Sequence, residues 1–579
     1  MPRELKISIG QCSDKGRKAI NQDFHGALIP KEPLLSVKGI AVVLADGISS
    51  SNVSQIASQS TVKGFLTDYY CTSESWSVKT SAQRVIAATN SWLHAETRRS
   101  QHASEYDRDK GYVCTLSAMV IKAAAAHIFH VGDSRIYRVN GKSLEQLTED
   151  HRVHLSSAQS YLGRAMGANP QIEIDYRLVP LEKNDIFLLA TDGVYAHAGP
   201  KFIAQTIKDN AADLDAAAKA IVAEAYKNGS DDNLTAQIVR IDELPTGEAR
   251  ELFGLAAELP LPPLLEARAV FDGYRIVREV HGSSRSHIYL AVDTETEELV
   301  ILKTPSVELG GDPAYLKRFM MEEWVAKRIN SAHVLKPTTQ TRKRNYLYVV
   351  TEYIDGQTLT QWMIDNPKPN LETIRRIVEQ IARGLLAFHR MEMIHQDVRP
   401  DNIMIDKTGT VKIIDFGSTK VKGVVEAAPA INHDDILGTV QYAAPEYFVG
   451  ESGTSRSDIF SLGVITYQML TGRLPYGAEI AKTRTKSQQR KLRYETALDD
   501  SREIPAWIDE ILKKAVHIDP YKRYEEVSEF TYSLRNPSKN DLNARPAPLI
   551  ERNPLLFWKC LSLILAGAVL YLLYVHYGR

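Results

Sequence analysis

The stretch HQDVRPDN, at His395–Asn402, decides the fold of the second half of the chain. It is followed by DFG at Asp415–Gly417 and by APE at Ala444–Glu446. Upstream, a β-like run VILK ends at Lys303, and the helical segment RFMMEE carries Glu322. Each short pattern can occur by chance, but all of them in this order and at these spacings form a highly specific signal for one fold.

The second half of the chain therefore resembles a eukaryotic-like serine/threonine protein kinase, with a small β lobe followed by a large helical lobe. The resemblance implies that Lys303 binds the α- and β-phosphates of ATP and pairs with Glu322. It further implies that Asp397 accepts the proton of the substrate hydroxyl. Asn402 and Asp415 are then expected to hold the Mg²⁺ ions that bridge the ATP phosphates.

Several positions depart from the kinase pattern. The loop expected to cover the phosphates, from Val280 through Gly282 to Ile288, has only one glycine, so its backbone approaches the phosphates less freely. Arg399 replaces the usual lysine and keeps a cation near the transferred phosphate. Gln396 replaces the arginine that pairs with a phosphorylated activation loop, so we expect no need for loop phosphorylation of that kind.

Short aspartate motifs follow apolar strands in the first half of the chain. They are NQD at Asn21–Asp23, ADG at Ala45–Gly47, GDSR at Gly132–Arg135, TDG at Thr191–Gly193 and SDDN at Ser230–Asn233. An Asp-Gly pair after a buried strand puts a carboxylate at the rim of a sheet, where the glycine permits close approach. One such pair usually marks only a turn. Several together predict an all-oxygen site suited to Mg²⁺ or Mn²⁺.

With these motifs, residues 5–240 resemble the metal-dependent serine/threonine protein phosphatases of type 2C. The resemblance implies a β-sandwich flanked by helices, with two metal ions that activate a bridging water. Asp46 is expected to bridge both ions, with the Gly47 carbonyl on one of them. Asp192 and Asp232 are expected to complete the coordination of the other ion. Asp133 matches the position of a ligand to a further, more weakly bound ion.

Other residues of the first half are expected around the metals. Asp23 is expected to orient water at the ions, and Asn233 completes the DN pair of the family. Lys18 stands where the family has a phosphate-binding arginine. A lysine supplies the positive charge but not the bidentate hydrogen bonding of a guanidinium. Gln22 and Ile48 replace a frequent glutamate and a histidine proposed as general acid. The metal carboxylates are all present, so we predict an active phosphatase.

Length and composition agree with several globular domains. The chain has 579 residues with 44% hydrophobic and 24% charged residues, and a net charge of -1. This balance gives no overall basic surface, so we expect no nucleic-acid partner. Its four scattered cysteines disfavour a disulfide framework or a CxxC metal site. The start, MPRELKISIG, has no apolar stretch of signal-peptide length, so we expect the chain to begin on the cytoplasmic side.

The C-terminal end predicts a membrane anchor. Every residue from Cys560 to Val575 is uncharged, and 555–577 is long enough for a transmembrane helix. Trp558 and Lys559 at one end favour interfacial anchoring. A buried C-terminal helix is the alternative. An anchor here places the catalytic domains on the cytoplasmic side of the membrane.

The predicted fold class is a multidomain α+β protein: a type 2C-like β-sandwich, a two-lobed kinase and a single C-terminal transmembrane helix. The predicted boundaries are 1–241 for the phosphatase, 242–270 for a linker, 271–535 for the kinase, 536–554 for a juxtamembrane linker and 555–577 for the anchor.

The predicted function is that of a bifunctional signalling enzyme which phosphorylates and dephosphorylates Ser/Thr of proteins, itself included. Its cofactors are ATP with Mg²⁺ for the kinase and two or three Mn²⁺ or Mg²⁺ ions for the phosphatase. Thr439 is expected beside the substrate hydroxyl. Two alternatives stay open: an active phosphatase regulated by a pseudokinase, and a membrane scaffold without catalysis.

Overall fold

The computed structural model describes residues 5–100, 110–156, 159–245, 259–283, 286–309, 312–338, 342–427, 441–477, 479–498, 504–537 and 554–577. The chain forms two compact units. The first contains Met1–Leu255 together with Val421–Ile431, and the second contains Ala256–Lys420 and Asn432–Arg579. Thr439 lies outside the described residues.

Two antiparallel five-stranded sheets form the first unit, with strand orders β1-β12-β11-β6-β7 and β10-β5-β4-β3-β2. The strands are β1 (Lys6–Asp14), β2 (Phe24–Leu28), β3 (Ile40–Ala45), β4 (Leu116–Lys122), β5 (Ala125–Val131), β6 (Arg135–Asn140), β7 (Ser143–Gln146), β10 (Asp175–Pro180), β11 (Ile186–Ala190) and β12 (Leu234–Glu243). A separate hairpin joins β8 (Arg152–Ser156) to β9 (Gln159–Leu162).

Helices cover the outer faces of both sheets. They are α1 (Leu34–Lys38), α2 (Ser54–Cys71), α3 (Val78–Ser100), α4 (Asp192–Tyr195), α5 (Pro200–Asp209) and α6 (Leu214–Lys227). Strand β3 shows why: its entire sequence IAVVLA is buried, and successive side chains of a strand point to opposite faces. Val42 packs between the two sheets, whereas Val43 packs under α2 and α3. The first unit is thus the predicted β-sandwich flanked by helices.

The segment that begins at Val421 is part of the first unit. The helix α10 (Lys422–Ala427) lies here, and the Gly423 N–H donates to the Ser75 carbonyl over 3.0 Å. The buried Lys122 ammonium donates to the Gly423 carbonyl over 2.7 Å. A Cβ on Gly423 would lie 2.7–2.9 Å from three carbonyl oxygens of the 74–76 segment, so only glycine fits this close approach.

The second unit begins with a five-stranded sheet of order β13-β14-β15-β16-β17 and continues with helices. Its strands are β13 (Val270–Phe271), β14 (Tyr274–Gly282), β15 (Ser286–Asp293), β16 (Leu299–Pro305), β17 (Val349–Glu352), β18 (Gly356–Thr358), β19 (Met393–Ile394), β20 (Ile403–Asp406), β21 (Val411–Ile413) and β22 (Lys420–Val421). Its helices are α7 (Pro313–Ala326), α8 (Leu359–Asp365), α9 (Leu371–Arg390), α11 (Ser455–Thr471), α12 (Lys486–Gln489), α13 (Ala506–Ala515) and α14 (Val527–Arg535).

The central helix α9 illustrates how the sequence specifies this helical part. The side chain of Asn370 caps its N-terminus by accepting from the Thr373 N–H over 2.7 Å. Apolar residues at helical spacing form its buried face, from Ile374 through Ile381 to Phe388. The predicted small β lobe and large helical lobe are therefore both present.

A final helix, α15, spans Pro554–Tyr577. Within the described parts of the chain, we found no helix whose length and apolar character suffice to cross a bilayer. The transmembrane helix predicted over 555–577 is therefore not confirmed.

Candidate active sites

Four aspartates of the first unit stand at the ends of strands. Asp46 follows β3 and Asp192 follows β11 by two residues, while Asp23 and Asp232 precede β2 and β12. The sheets place these strand ends near one another, so the negatively charged carboxylates repel one another. Burial raises the pKa of Asp46 well above its usual value, and repulsion from the Asp23 and Asp192 carboxylates raises it further.

Asp23 is held in one orientation. Its Oδ2 accepts hydrogen bonds from Thr235 Oγ1 over 2.6 Å and Thr191 Oγ1 over 3.1 Å. Its Oδ1 is buried and has no hydrogen-bond partner in the structure. Burial raises the pKa of Asp23 to about 6, although the threonine hydroxyls act in the opposite direction. This leaves one oriented carboxylate oxygen available to a ligand.

Asn233 organises the loop that carries Asp23. Its Oδ1 accepts from the Gln22 N–H over 2.9 Å, and its Nδ2 donates to the carbonyls of Lys15 and Ile20 over 2.9 and 3.0 Å. Its side chain is thus committed to backbone groups. Asn233 was predicted as a phosphate-binding or supporting residue, and these contacts favour the supporting role.

The glycines of the two Asp-Gly pairs are required by backbone packing. A Cβ on Gly193 would lie 2.1 Å from the Asn233 carbonyl oxygen, and one on Gly47 would lie 2.9 Å from the Gln22 carbonyl oxygen. The sequence suggested that these glycines admit a ligand. The structure gives another reason, because neighbouring backbone segments fill the space beside both.

Two basic side chains contact the predicted metal ligands. Lys18 Nζ lies 3.5 Å from Asp232 Oδ1 and 3.2 Å from Ser49 Oγ. Arg152 Nε lies 2.6 Å from Asp133 Oδ2, and its Nη2 lies 2.8 Å from Asp192 Oδ2. No sequence pattern pointed to Arg152, because only the fold brings the β8–β9 hairpin to this position.

Over the described residues, no three His, Cys, Asp or Glu side chains form a group that could hold a metal ion. The structure therefore does not bring the predicted ligands into one metal-binding group. These ligands are Asp46, Asp192 and Asp232. Their chemistry nevertheless fits divalent cations, since burial and the repulsion from Asp133 and Asp232 raise the pKa of Asp192. Positive charge would relieve that repulsion, and carboxylates are preferred ligands of Mg²⁺ and Mn²⁺.

In the second unit, Lys303 and Glu322 form a buried ion pair. Lys303 Nζ lies 2.7 Å from Glu322 Oε2, joining β16 to α7. Burial raises the pKa of Glu322 to about 7, opposed by the Lys303 charge. Burial lowers the pKa of Lys303, but attraction to Asp415 and Glu322 outweighs it and the net pKa is raised. The sequence predicted this pairing.

Asp397 and Asn402 are also brought together. Asn402 Nδ2 donates to both the backbone carbonyl and the Oδ2 of Asp397 over 2.9 Å. Arg399 Nε lies 3.5 Å from Asp397 Oδ2. Burial raises the pKa of Asp397, while the Arg399 charge lowers it. The carboxylate is thus oriented from one side by an amide and approached by a cation.

Asp415 completes this site. Its Oδ1 accepts from the Gly417 N–H over 3.0 Å. Burial raises its pKa, but the positive charge of Lys303 and the Gly417 hydrogen bond dominate and the net pKa is lowered. A buried carboxylate that stays ionised can hold a divalent cation, so Asp415 and Asn402 fit the predicted Mg²⁺ ligands.

One buried carboxylate, Asp458, binds the backbone just before Asp397, and a second, Glu446, forms a buried ion pair. Asp458 accepts from the backbone N–H groups of His395 and Gln396, each over 2.9 Å. The backbone of Gln396 has a φ of 68°, a value that residues other than glycine rarely adopt. Arg523 pairs with Glu446 through two contacts of 2.9 and 2.8 Å. The Asp458 hydrogen bonds hold the backbone that precedes Asp397, whereas the Glu446 carboxylate also accepts from Ser457 Oγ.

The predicted phosphate-covering loop is a β-hairpin between β14 and β15. Ser283 N–H donates to the Ser286 carbonyl over 3.0 Å, which closes the turn. A Cβ on Gly282 would lie 2.4 Å from Glu279 Oε1, so this glycine sits against a side chain of its own hairpin. Val280 and Ile288 lie on the facing strands, and Ile288 pairs with His281.

Comparison with known proteins assigns each unit to a class of phosphoryl-transfer domain. A family model described as protein phosphatase 2C matches residues 13–241. A model described as protein kinase domain matches residues 274–532. Residues 13–241 thus match the protein phosphatase 2C family, and residues 274–532 match the protein kinase family.

Individual relatives match one domain each. The serine/threonine-protein kinase PrkC of Bacillus subtilis is 27% identical over 47% of this chain and 41% of its own length. PknL of Mycobacterium bovis is 29% identical over 45% of this chain and 65% of its own. The chain therefore spans less than two thirds of either relative. The solved structure described as "PppA, a key regulatory component of T6SS in Pseudomonas aeruginosa" is 21% identical, with a TM-score of 0.35, over 41% of this chain and 99% of that one.

Proposed function

We propose that this protein is a bifunctional enzyme that transfers phosphate from ATP to Ser/Thr of proteins and also hydrolyses phosphoserine and phosphothreonine. The observation that carries the kinase activity is the Lys303–Glu322 pair together with the Asn402–Asp397 contact. The observation that carries the phosphatase activity is the group of mutually repelling carboxylates around Asp46. The pseudokinase and scaffold alternatives find no support in either site.

In the kinase reaction, Lys303 would orient the α- and β-phosphates while Glu322 holds its ammonium in place. Asp397, oriented by Asn402, would accept the proton of the substrate hydroxyl through its carboxylate. Mg²⁺, held by Asn402 and Asp415, would neutralise charge on the ATP phosphates.

In the phosphatase reaction, Asp46, the Gly47 carbonyl, Asp192 and Asp232 would hold two divalent cations, which lower the pKa of water and neutralise the phosphate. Asp23, whose Oδ2 is held by the hydroxyls of Thr235 and Thr191, would orient water at these ions. Lys18, beside Asp232 and Ser49, would bind the substrate phosphate as a single positive charge.

The decisive experiment is labelling of the full chain with radioactive ATP and Mg²⁺ or Mn²⁺. We expect Asp192→Asn to accumulate more label than the unsubstituted protein, because hydrolysis is lost. Adding Asp397→Asn should abolish the label. Exposed Asp401 provides the matched control, and Asp401→Asn should still be labelled.

Other outcomes would contradict one activity at a time. Equal label in the Asp192→Asn and unsubstituted proteins would contradict removal of autophosphorylation by the phosphatase. No label on the chain or on added protein substrates would contradict the kinase and leave a phosphatase regulated by an inactive kinase domain.

We also propose that the C-terminal helix attaches the protein to the cytoplasmic membrane, with both catalytic domains in the cytoplasm. Support comes from the uncharged run Cys560–Val575 and from the exposed side chains of Leu563, Ile564 and Leu570. Full-length protein should stay in the membrane pellet after alkaline carbonate extraction. Leu563→Lys combined with Leu570→Lys should release it. Release of the unsubstituted protein would contradict the proposal.

A further inference from the structure

Arg152 occupies a place in the phosphatase site that family resemblance gives to a metal ion. Its Nε contacts Asp133 Oδ2 at 2.6 Å and its Nη2 contacts Asp192 Oδ2 at 2.8 Å. Asp133 is buried, and the Arg152 side chain is 34% exposed. The family resemblance predicts that Asp133 binds a further, more weakly held ion. Here the Arg152 guanidinium already neutralises the Asp133 carboxylate.

The backbone beside Arg152 is held by hydrogen bonds on both sides. The His151 N–H donates to the Gly132 carbonyl over 2.8 Å, and the Gly132 N–H donates to His151 Nδ1 over 3.1 Å. His151 Nε2 in turn contacts Asp175 Oδ2 at 2.9 Å. The base of the β8–β9 hairpin is thus tied to the turn that carries Asp133. Arg152 therefore reaches these carboxylates from a defined position.

Arg152 and a third ion compete for the same oxygens. A small divalent cation binds carboxylate oxygen at about 2.0–2.1 Å and requires near-octahedral coordination. An ion bound at either of these Oδ2 atoms would displace the Arg152 contact there, and an ion elsewhere beside Asp133 would be repelled by the guanidinium charge. Asp192 has a second carboxylate oxygen, so its predicted role toward the other ions remains compatible with the Arg152 contact.

We propose that Arg152 is a built-in cation that replaces a third metal ion, so that the phosphatase site of this chain takes two divalent ions and no ion at Asp133. Arg152 is then a positioning residue: it holds Asp133 and Asp192 in place without a soluble cation. The inference rests on the proposed two-metal phosphatase site.

The test counts bound metal rather than turnover. Equilibrium dialysis against Mn²⁺ without nucleotide, followed by metal analysis, is performed on the full chain carrying Asp415→Asn, which removes a predicted kinase metal ligand. With Arg152 intact we expect two ions per chain, rising to three in Arg152→Ala and in Arg152→Gln. Adding Asp133→Asn to Arg152→Ala should return the count to two.

A matched control is Arg164→Ala, which removes a nearby arginine that pairs with Asp175 and Glu173 and should leave the count at two. Circular dichroism at the same Mn²⁺ concentrations verifies folding, and Arg152→Gln keeps hydrogen-bonding capacity if alanine unfolds the hairpin. Three ions with Arg152 intact, or an unchanged count of two in both Arg152 variants, overturns the inference alone. Fewer than two ions with Arg152 intact overturns the two-metal site itself.

Discussion

At the scale of single residues, Lys303 shows how burial gives a side chain its function. Both Lys303 and Glu322 are largely removed from water, and each stabilises the charged form of the other. Breaking a buried pair leaves one uncompensated charge, which costs about 3–5 kcal/mol. This pair therefore supports the local structure, and in the proposed kinase reaction it would also orient the phosphates of ATP.

We expect Lys303→Met to lower the rate of protein phosphorylation by roughly 100-fold or more, because one preorganised cation at a phosphate is worth about that much. Phosphatase turnover on a phosphothreonine peptide should not change. Lys412→Met is the control, since Lys412 also forms a half-buried pair, with Glu352 at 2.6 Å, away from the predicted phosphate loop. Equal losses in both variants would contradict the role of Lys303.

A second residue-scale prediction concerns Gly193. Its Cβ in Gly193→Ala would overlap the Asn233 backbone, so we expect the first unit to lose about 1–3 kcal/mol of stability or more. Gly64→Ala, inside α2 with the nearest atom at 3.6 Å, should instead be neutral or stabilising by up to about 1 kcal/mol. Urea unfolding of both variants measures the difference. A Gly193→Ala protein as stable as the original would show that the strand ends can separate freely.

At the scale of elements, local sequence patterns account for individual strands and helices. The fully apolar run Ile40–Ala45 is a strand, and Leu371–Arg390 is a helix. Both follow from local patterns: a short continuous apolar run in one, helical spacing and an Asn cap in the other. The β8–β9 hairpin was not predicted, because its sequence contains no continuous apolar strand pattern.

Strand β5 provides a pH prediction. His127 on this strand is buried, and its Nδ1 lies 3.0 Å from the Tyr176 hydroxyl of β10. Burial, with a smaller contribution from Lys122, lowers the pKa of His127 to about 4. The unfolded chain binds a proton near pH 6.5, whereas the folded chain does not until about pH 4. Stability from neutral His127 is therefore complete above pH 6.5 and declines as the pH falls toward 4.

The expected loss is up to roughly 3 kcal/mol for this histidine between these limits. His127→Gln should show a shallower decline in unfolding free energy from pH 7 to 4.5, measured by urea unfolding. His281→Gln, at an exposed position of the second unit, serves as the control and should keep the original slope. An unchanged slope in His127→Gln would mean that His127 does not remain neutral in the folded protein.

At the scale of the whole molecule, two domains of opposite chemistry share one chain. In the proposed function, the kinase domain would add the phosphate that the phosphatase domain removes, and the common chain would give both a high effective concentration toward shared substrates. Metal dependence should separate them, because the phosphatase carboxylates repel one another without cations. The predicted kinase ligands Asp415 and Asn402 act together with ATP phosphates.

We expect Mn²⁺ without nucleotide to protect the amides of β3 and β11 from hydrogen exchange. At a concentration 100 times its Kd, one bound ion stabilises the folded state by about 2.7 kcal/mol. Asp46→Asn should lose this protection while being at least as stable as the original protein without metal, since one repelling carboxylate is removed. Asp68→Asn, on the exposed face of α2, should retain the protection. Protection by Mn²⁺ that survives Asp46→Asn would place the ion elsewhere.

The sequence by itself determined the resemblance to two domain families and the fold class of each, and it predicted the residues of the kinase site. This was possible because strand and helix patterns are local, and because the kinase residues stand in short motifs whose spacing carries information. Two pairs of residues predicted in this way are in contact. They are Lys303 with Glu322 and Asp397 with Asn402.

Only the tertiary structure decided how the phosphatase carboxylates are neutralised and what their neighbours do. Arg152 reaches Asp133 and Asp192 from a hairpin, Asn233 bonds to the backbone of a distant loop, and Gly193 is required by the Asn233 carbonyl. These contacts join residues far apart in the chain, so no local pattern records them. Burial and mutual charge, which raise the pKa of Asp46, likewise arise only when the strand ends meet.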